Sequence, residues 1–320
     1  MKEFIITKND ADQRLDKFVY KVTTNFSGAL LYKHLRKKAI KVNGKKKEIS
    51  YRLQEGDVVT MYINDEFFEK PREENSYLKV GTPKLNIVYE DENLMLLDKR
   101  PGLVVHADET EKVNTLINHI QAYLYQKREW NPKWENAFTP ALCNRIDRNT
   151  GGIVIAAKTA EGLRVMNQKI KDRELDKRYL AVVEGIPRSP RGSLKGYLFK
   201  DAKKNRVFVT DTPQAGSKSC QTNYITLASR QGLSLVECEL ITGRTHQIRA
   251  QFAHAGHPLL GDGKYGKLDK RFDRTYQALY SYKLTFRFTT DAGALEYLNG
   301  RSFRVDRVDF VEEYFPEYKL

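Results

Sequence analysis

From residue 85 onward the chain is built of strand-length apolar pieces, and this pattern limits the folds open to it more than any other feature. Residues 93–98, 153–157, 178–184 and 235–240 are such runs. In the last, Val236, Cys238 and Leu240 alternate with Glu237 and Glu239, the period of two that sets one strand face on a core and the other toward water. Helical spacing falls between the runs. After Thr159, Leu163, Met166 and Ile170 form one stripe; after Thr245, Ile248, Phe252 and Ala255 form another, which Gly256 should stop. An α+β domain around a largely antiparallel mixed sheet is expected over 85–320.

Upstream the period changes. Residues 14–19 and 29–38 carry apolar side chains at helical spacing, and Ile40-Lys41-Val42 alternates into Asn43-Gly44, the strongest short hairpin signal. Between them and the strand-rich region, residues 66–76 are charged, contain Pro71 and hold no sustained period. The expected division is therefore a small domain over 1–65, a linker over 66–84 and a large domain over 85–320. The stretch 108–140, with Trp130 and Trp134, reads as a surface subdomain with a small aromatic core, the alternative being an insertion that shapes ligand choice.

Lys and Arg number 55 against 41 Asp and Glu in 320 residues, a formal charge of +14. Such an excess suits partners that carry phosphate, because each neutralised phosphate releases counterions. Cys143, Cys220 and Cys238 are odd in number and form no C-x-x-C pair, which argues against a disulfide framework or a thiolate zinc site and for a reducing compartment. The N-terminus turns polar within a few residues, and no apolar run approaches the ~20 residues that span a bilayer. A cytoplasmic protein without a membrane partner is expected.

The residues best suited to chemistry are Asn144-Arg145-Ile146-Asp147-Arg148-Asn149-Thr150-Gly151-Gly152. Two arginines flank Asp147, and opposite charge nearby keeps a carboxylate ionised and able to act as a nucleophile. A structural Asp-Arg pair is the plain alternative. A calcium loop is excluded, because Gly151 stands at the fifth position and Lys158 at the twelfth, where a bidentate Glu is required. His246, His254 and His257 cluster in sequence around Thr242-Gly243-Arg244-Thr245-His246-Gln247-Ile248-Arg249, yet lack the H-E-x-x-H spacing of a zinc protease. No P-loop is present.

Two resemblances follow. Arg14-Leu15-Asp16-Lys17, the basic run Arg36-Lys37-Lys38, Val42-Asn43-Gly44 with Lys45, and Leu53-Gln54-Glu55-Gly56-Asp57 resemble the S4 (α-L) RNA-binding module. This implies phosphate-backbone contact through Arg14, Arg36, Lys37, Lys38 and Lys45. The segment 144–152, together with Lys99-Arg100-Pro101-Gly102, Lys177-Arg178-Tyr179-Leu180, the 242–249 motif and Ser281-Tyr282-Lys283-Leu284, is similar in order and wording to the RluA-like pseudouridine synthases. The likeness covers roughly 85–290. It implies that the uridine N1–C1′ bond breaks, the uracil turns and the ring rejoins through C5, with no cofactor and no metal.

In that resemblance Asp147 is the catalytic carboxylate, nucleophile or charge stabiliser. Tyr179 is the active-site tyrosine that stacks on uracil or moves a proton, and Arg249 is the basic partner of Asp147. Arg145 faces RNA and fills the gap left by the flipped nucleotide. Asn144, Ile146, Asn149 and Gly151 depart from the more familiar His, Leu, Asp and Ser, which bears on substrate range. Large-subunit ribosomal RNA is the expected substrate of a monomeric enzyme needing no protein partner. Transfer RNA is the alternative. A non-catalytic RNA-binding assembly factor would have lost Asp147 or Tyr179, and a metal-dependent hydrolase would need an acidic ligand near the histidines.

Overall fold

In a computed structural model, residues 1–68, 76–201 and 206–320 are described, and they form two compact units. The first comprises Met1–Lys84, His106–Ala141 and Ala157–Leu163. Its elements are β1 (Lys2–Ile5), α1 (Leu15–Val22), α2 (Gly28–Arg36), β2 (Ile40–Val42), β3 (Val58–Met61) and α3 (Leu116–Gln126). The spacing in α1 buries Leu15, Phe18, Val19 and Val22, and α2 adds Leu31 and Leu35 to the same core. Ser27 caps α2 by accepting from the Leu30 N–H at 3.3 Å. The Asn43-Gly44 turn forms as expected, with φ of 51° and 72°, and Val42 and Lys45 exchange backbone hydrogen bonds of 2.8 and 3.0 Å across it. Strand β1, which has no buried side chain, was invisible to pattern reading; it pairs antiparallel with β3, as does β2.

Of the expected linker, 69–75 lies outside the described residues. Its edges are not loop-like: Phe68 and Tyr77 sit buried in the short 3-10 turns Asp65–Phe68 and Ser76–Lys79. Tyr77 meets Trp130 and Tyr125 with ring centroids 5.3 and 5.5 Å apart. The 108–140 stretch thus does carry an aromatic core, built on α3 and Trp130, whereas Trp134 is 60% exposed.

The second unit comprises Leu85–Val105, Leu142–Ala156 and Arg164–Leu320. Its sheet has eleven strands: β4 (Ile87–Glu90), β5 (Leu94–Lys99), β6 (Ala141–Leu142), β7 (Gly151–Ala157), β8 (Leu175–Glu184), β9 (Arg191–Asp201), β10 (Arg206–Thr210), β11 (Lys218–Arg230), β12 (Leu233–Leu240), β13 (Leu279–Phe286) and β14 (Ser302–Arg304). They run in the order β10-β9-β11-β12-β8-β13-β7-β5-β4. Neighbours are mainly antiparallel, with β7 parallel to β13, so the sheet is mixed as expected. The helices are α4 (Ala160–Lys171) from Arg164 onward, α5 (Gln247–His254) and α6 (Asp309–Tyr314).

Tyr179, Ala181 and Val183 on β8, Val236 and Cys238 on β12, and Ile248 and Phe252 on α5 make one core cluster. The alternation along β12 is correct, but its polar face is an ion network rather than open water. Arg178 reaches Asp176 at 2.8 Å, Glu239 at 3.0 Å and Glu237 at 3.4 Å. The helix α5 begins at Gln247, after Thr245 as expected, with His246 left-handed (φ 53°) before it, whereas Ala255 is exposed at the C-cap instead of completing the buried stripe. Gly256, at φ 85°, ends it as expected.

Candidate active site

Glycines at the start of β7 decide where Asp147 stands. Gly152 has φ 108°, and a Cβ there would collide with the backbone of Ser281 on β13, so only glycine lets the two strands approach. At Gly151 the space of a side chain is filled by the Tyr280 ring, whose hydroxyl donates to Asp98 at 2.7 Å. Gly151 is therefore matched to Tyr280. Asn144, another departure from the familiar wording, accepts from the Ile155 N–H at 2.7 Å and fastens the loop to β7.

Lys99, at the end of β5, holds that loop from beneath. Its side chain is buried, and its ammonium donates to the carbonyls of Arg148 (2.7 Å), Leu103 (2.9 Å) and Arg100 (3.0 Å). Burial pulls its pKa down to about 7 against the partial support of Asp147 and Asp98, while three acceptor carbonyls suit all three N–H bonds of the charged form. Lys99→Met should leave these carbonyls short of donors, costing about 2–3 kcal/mol in the denaturant midpoint at neutral pH and slowing turnover by displacing Asp147. The pH dependence has a definite sign. Between about 7 and 10.5 the unfolded chain holds the Lys99 proton and the folded chain does not, so raising pH favours the folded state. The stability of the parent relative to Lys99→Met should thus rise across that window; a flat or falling difference in pH-resolved denaturation would refute the assignment.

Above this base, α5 brings Arg249 to Asp147, Nη1 to Oδ2, at 2.8 Å. The rest of the guanidinium fork is taken by Asp262, at 2.6 Å from Nε and 2.9 Å from Nη2. Asp262 is 1% exposed and also accepts from the Lys264 N–H at 3.1 Å. Burial works against the charge of Arg249, but Asp262 and Asp147 outweigh it and raise its pKa. The fork is thereby fixed on the dry side by one carboxylate and offered to the other, which is 26% exposed. The Tyr265 ring lies 5.2 Å from the guanidinium.

Tyr265 also sets His246. Its oxygen accepts from the Val207 N–H at 3.1 Å and is hydrogen-bonded to His246 Nδ1 at 2.8 Å. The other ring nitrogen, Nε2, lies 3.7 Å from Asp147. Burial lowers the His246 pKa and favours a neutral ring. On β8, Tyr179 is buried close enough to feel Asp147. Burial, then the Asp147 charge, push its pKa up to about 12 against a hydrogen bond with Ser281. Its hydroxyl is a donor at neutral pH, not a ready base.

The structure thus gathers Asp147, Tyr179 and Arg249 from distant parts of the chain. Arg145 is exposed on the same loop as Asp147. In the first unit Arg36, Lys37, Lys38 and Lys45 are exposed, whereas Arg14 is occupied by Asp16 at 2.9 Å. The three histidines go to separate partners, His254 to Asp211 and His257 to the Glu184 carbonyl. Among the described residues no group of three His, Cys, Asp or Glu is arranged to hold a metal ion, and no helix is long and apolar enough to cross a membrane. Pattern reading assigned no role to Asp262, Lys99 or Tyr265; Lys99 opens a quoted motif, and for Asp262 an acid one loop beyond a helical arginine was the available signal.

Residues 93–254 match the family described as RNA pseudouridylate synthase. The chain is 31% identical over 293 residues to an uncharacterized RNA pseudouridine synthase of Mycoplasma genitalium, covering 89% of this chain and 88% of that one. It is 30% identical over 275 residues to ribosomal large subunit pseudouridine synthase C of Escherichia coli, covering 86% and 82%. In fold it is similar to human RNA pseudouridylate synthase domain containing 1, with a TM-score of 0.53 at 18% identity over 75% of this chain and 98% of that one.

Proposed function

The chain belongs to the RNA pseudouridylate synthase family and is an RNA-acting isomerase, and from that premise we propose that Asp147 is its catalytic carboxylate and large-subunit ribosomal RNA its substrate. The observation that carries the first part is the Asp262–Arg249–Asp147 chain, which aims one partly exposed carboxylate from a rigid helix. In the reaction the N1–C1′ bond breaks and a C5–C1′ bond forms, while a proton leaves C5 and another is gained at N1. Asp147 serves the glycosidic centre. Tyr179 forms the stacking wall for uracil and, as a phenol, donates a hydrogen bond. Arg249 holds and orients Asp147, and Arg145 faces the RNA where the flipped nucleotide has left its helix.

Ribosomal RNA is favoured because the similar Escherichia coli protein is named for the large subunit and because the exposed Arg36, Lys37, Lys38 and Lys45 give 1–65 a cationic face suited to a large RNA. We take 1–65 as the S4-like module and 85–320 as the catalytic domain of a monomeric cytoplasmic enzyme. The test is to map pseudouridines in large-subunit ribosomal RNA from cells with the protein, without it, and with Arg36, Lys37 and Lys38 all changed to Gln. At least one site should vanish without the protein and be partly occupied with the triple variant. An unchanged ribosomal map beside a lost site in transfer RNA would overturn the substrate assignment.

A further inference from the structure

Next to the site, on the same face of β8, lies a concave surface that the chemistry above leaves unused. Lys177 precedes Tyr179 by two residues, so the two side chains share a face with Cα atoms roughly 6.6 Å apart. Lys177 opens into a cavity of about 480 Å³ that is also lined by Lys171 and Arg173, at the end of α4, and by Arg244, in the turn leading to α5. A neighbouring cavity of about 450 Å³ shares Arg173, Ile241 and Thr242 with it and adds Lys195. The two form one trough.

Its acids are already engaged. Asp176 and Glu239 bond to Arg178, and Asp211 faces His254. Among the described residues, Lys171, Arg173, Lys177, Lys195 and Arg244 have no carboxylate within ion-pair distance. Burial lowers the pKa of Lys177. Cations that converge without counterions repel one another, and an anion entering the trough relieves that cost.

We propose that this trough is a phosphodiester track for the RNA strand flanking the target uridine, with Lys177, Arg173 and Arg244 as its contacts. The proposal rests on the RNA-isomerase reading. A nucleotide whose base reaches Tyr179 brings its neighbouring phosphate to the Lys177 end of the strand, beside the turn that carries Arg244. Such contacts set register and orientation and carry no base preference, so the track positions the strand while the pocket around Asp147 selects the uracil.

The test uses the full chain and a short labelled oligouridylate, with binding measured against salt. Lys177→Gln, Arg173→Gln and Arg244→Gln should each weaken binding by about tenfold and reduce the slope of log affinity against log salt by about 0.7. Lys177→Arg should keep both. On ribosomal RNA, KM should rise more than kcat falls. Parental affinity and slope in all three Gln variants would overturn the track. So would a loss confined to kcat in Lys177→Gln, which would make Lys177 a support for Tyr179. If the parent protein shows these slopes yet forms no pseudouridine in any RNA, the reaction reading fails while the track stands.

Discussion

Asp147→Asn is expected to yield a folded protein whose pseudouridine formation is lower by at least about four orders of magnitude, the scale seen when a group acting in the reacting step is removed. The substitution keeps shape and removes charge. As a nucleophile the neutral amide is far weaker than the carboxylate; as a charge stabiliser it leaves the developing cation on the sugar unopposed. The fold should be spared, because the Arg249 guanidinium remains held by Asp262 through Nε and Nη2 and because Asp147 is 26% exposed. A stability change within about 1 kcal/mol is expected. The measurement is tritium release from RNA labelled at uridine C5, since that proton must leave when C5 joins the sugar. Release at the parental rate by a normally folded variant would sink the assignment and leave Asp147 a structural partner of Arg249.

What could be read from the sequence divides along physical lines. Elements with a dry face were legible: β7, buried along its whole length, and β12 and α1, whose apolar residues recur with the right period. The strands β9 and β11 were not, because they expose polar side chains along much of their length and are defined by pairing with each other. Loop chemistry was half legible. Asp147 stood out by its flanking arginines, but Arg145 and Arg148 are exposed, and the cation that touches Asp147 is Arg249, 102 positions away in sequence. That pairing came from resemblance. The groups that fix Arg249 and the loop, Asp262 and Lys99, act through burial, which local sequence does not reveal: Lys99 reads as a surface lysine until the carbonyls of Arg100, Leu103 and Arg148 are found around its ammonium.

Asp262→Asn should separate aiming from chemistry, since it ought to lose stability and activity together where Asp147→Asn loses activity alone. The Asp262 carboxylate takes two guanidinium N–H bonds and the Lys264 N–H with 1% of its side chain exposed. An asparagine offers one oxygen and turns an NH2 toward one of these donors, so the buried cation keeps only part of its partnership. Removing one member of such a pair costs about 3–5 kcal/mol, to be read as a lower denaturant midpoint. Arg249, no longer fixed by its fork, would meet Asp147 over a wider range of geometries, and kcat should fall by about a hundredfold. Coupling supplies the control: Arg249→Met should cost much less in the Asp262→Asn background than in the parent, because both changes break the same contact. Additive losses, or an Asp262→Asn protein with parental stability and turnover, would mean that Arg249 is positioned by α5 itself and that Asp262 contributes nothing to its aim.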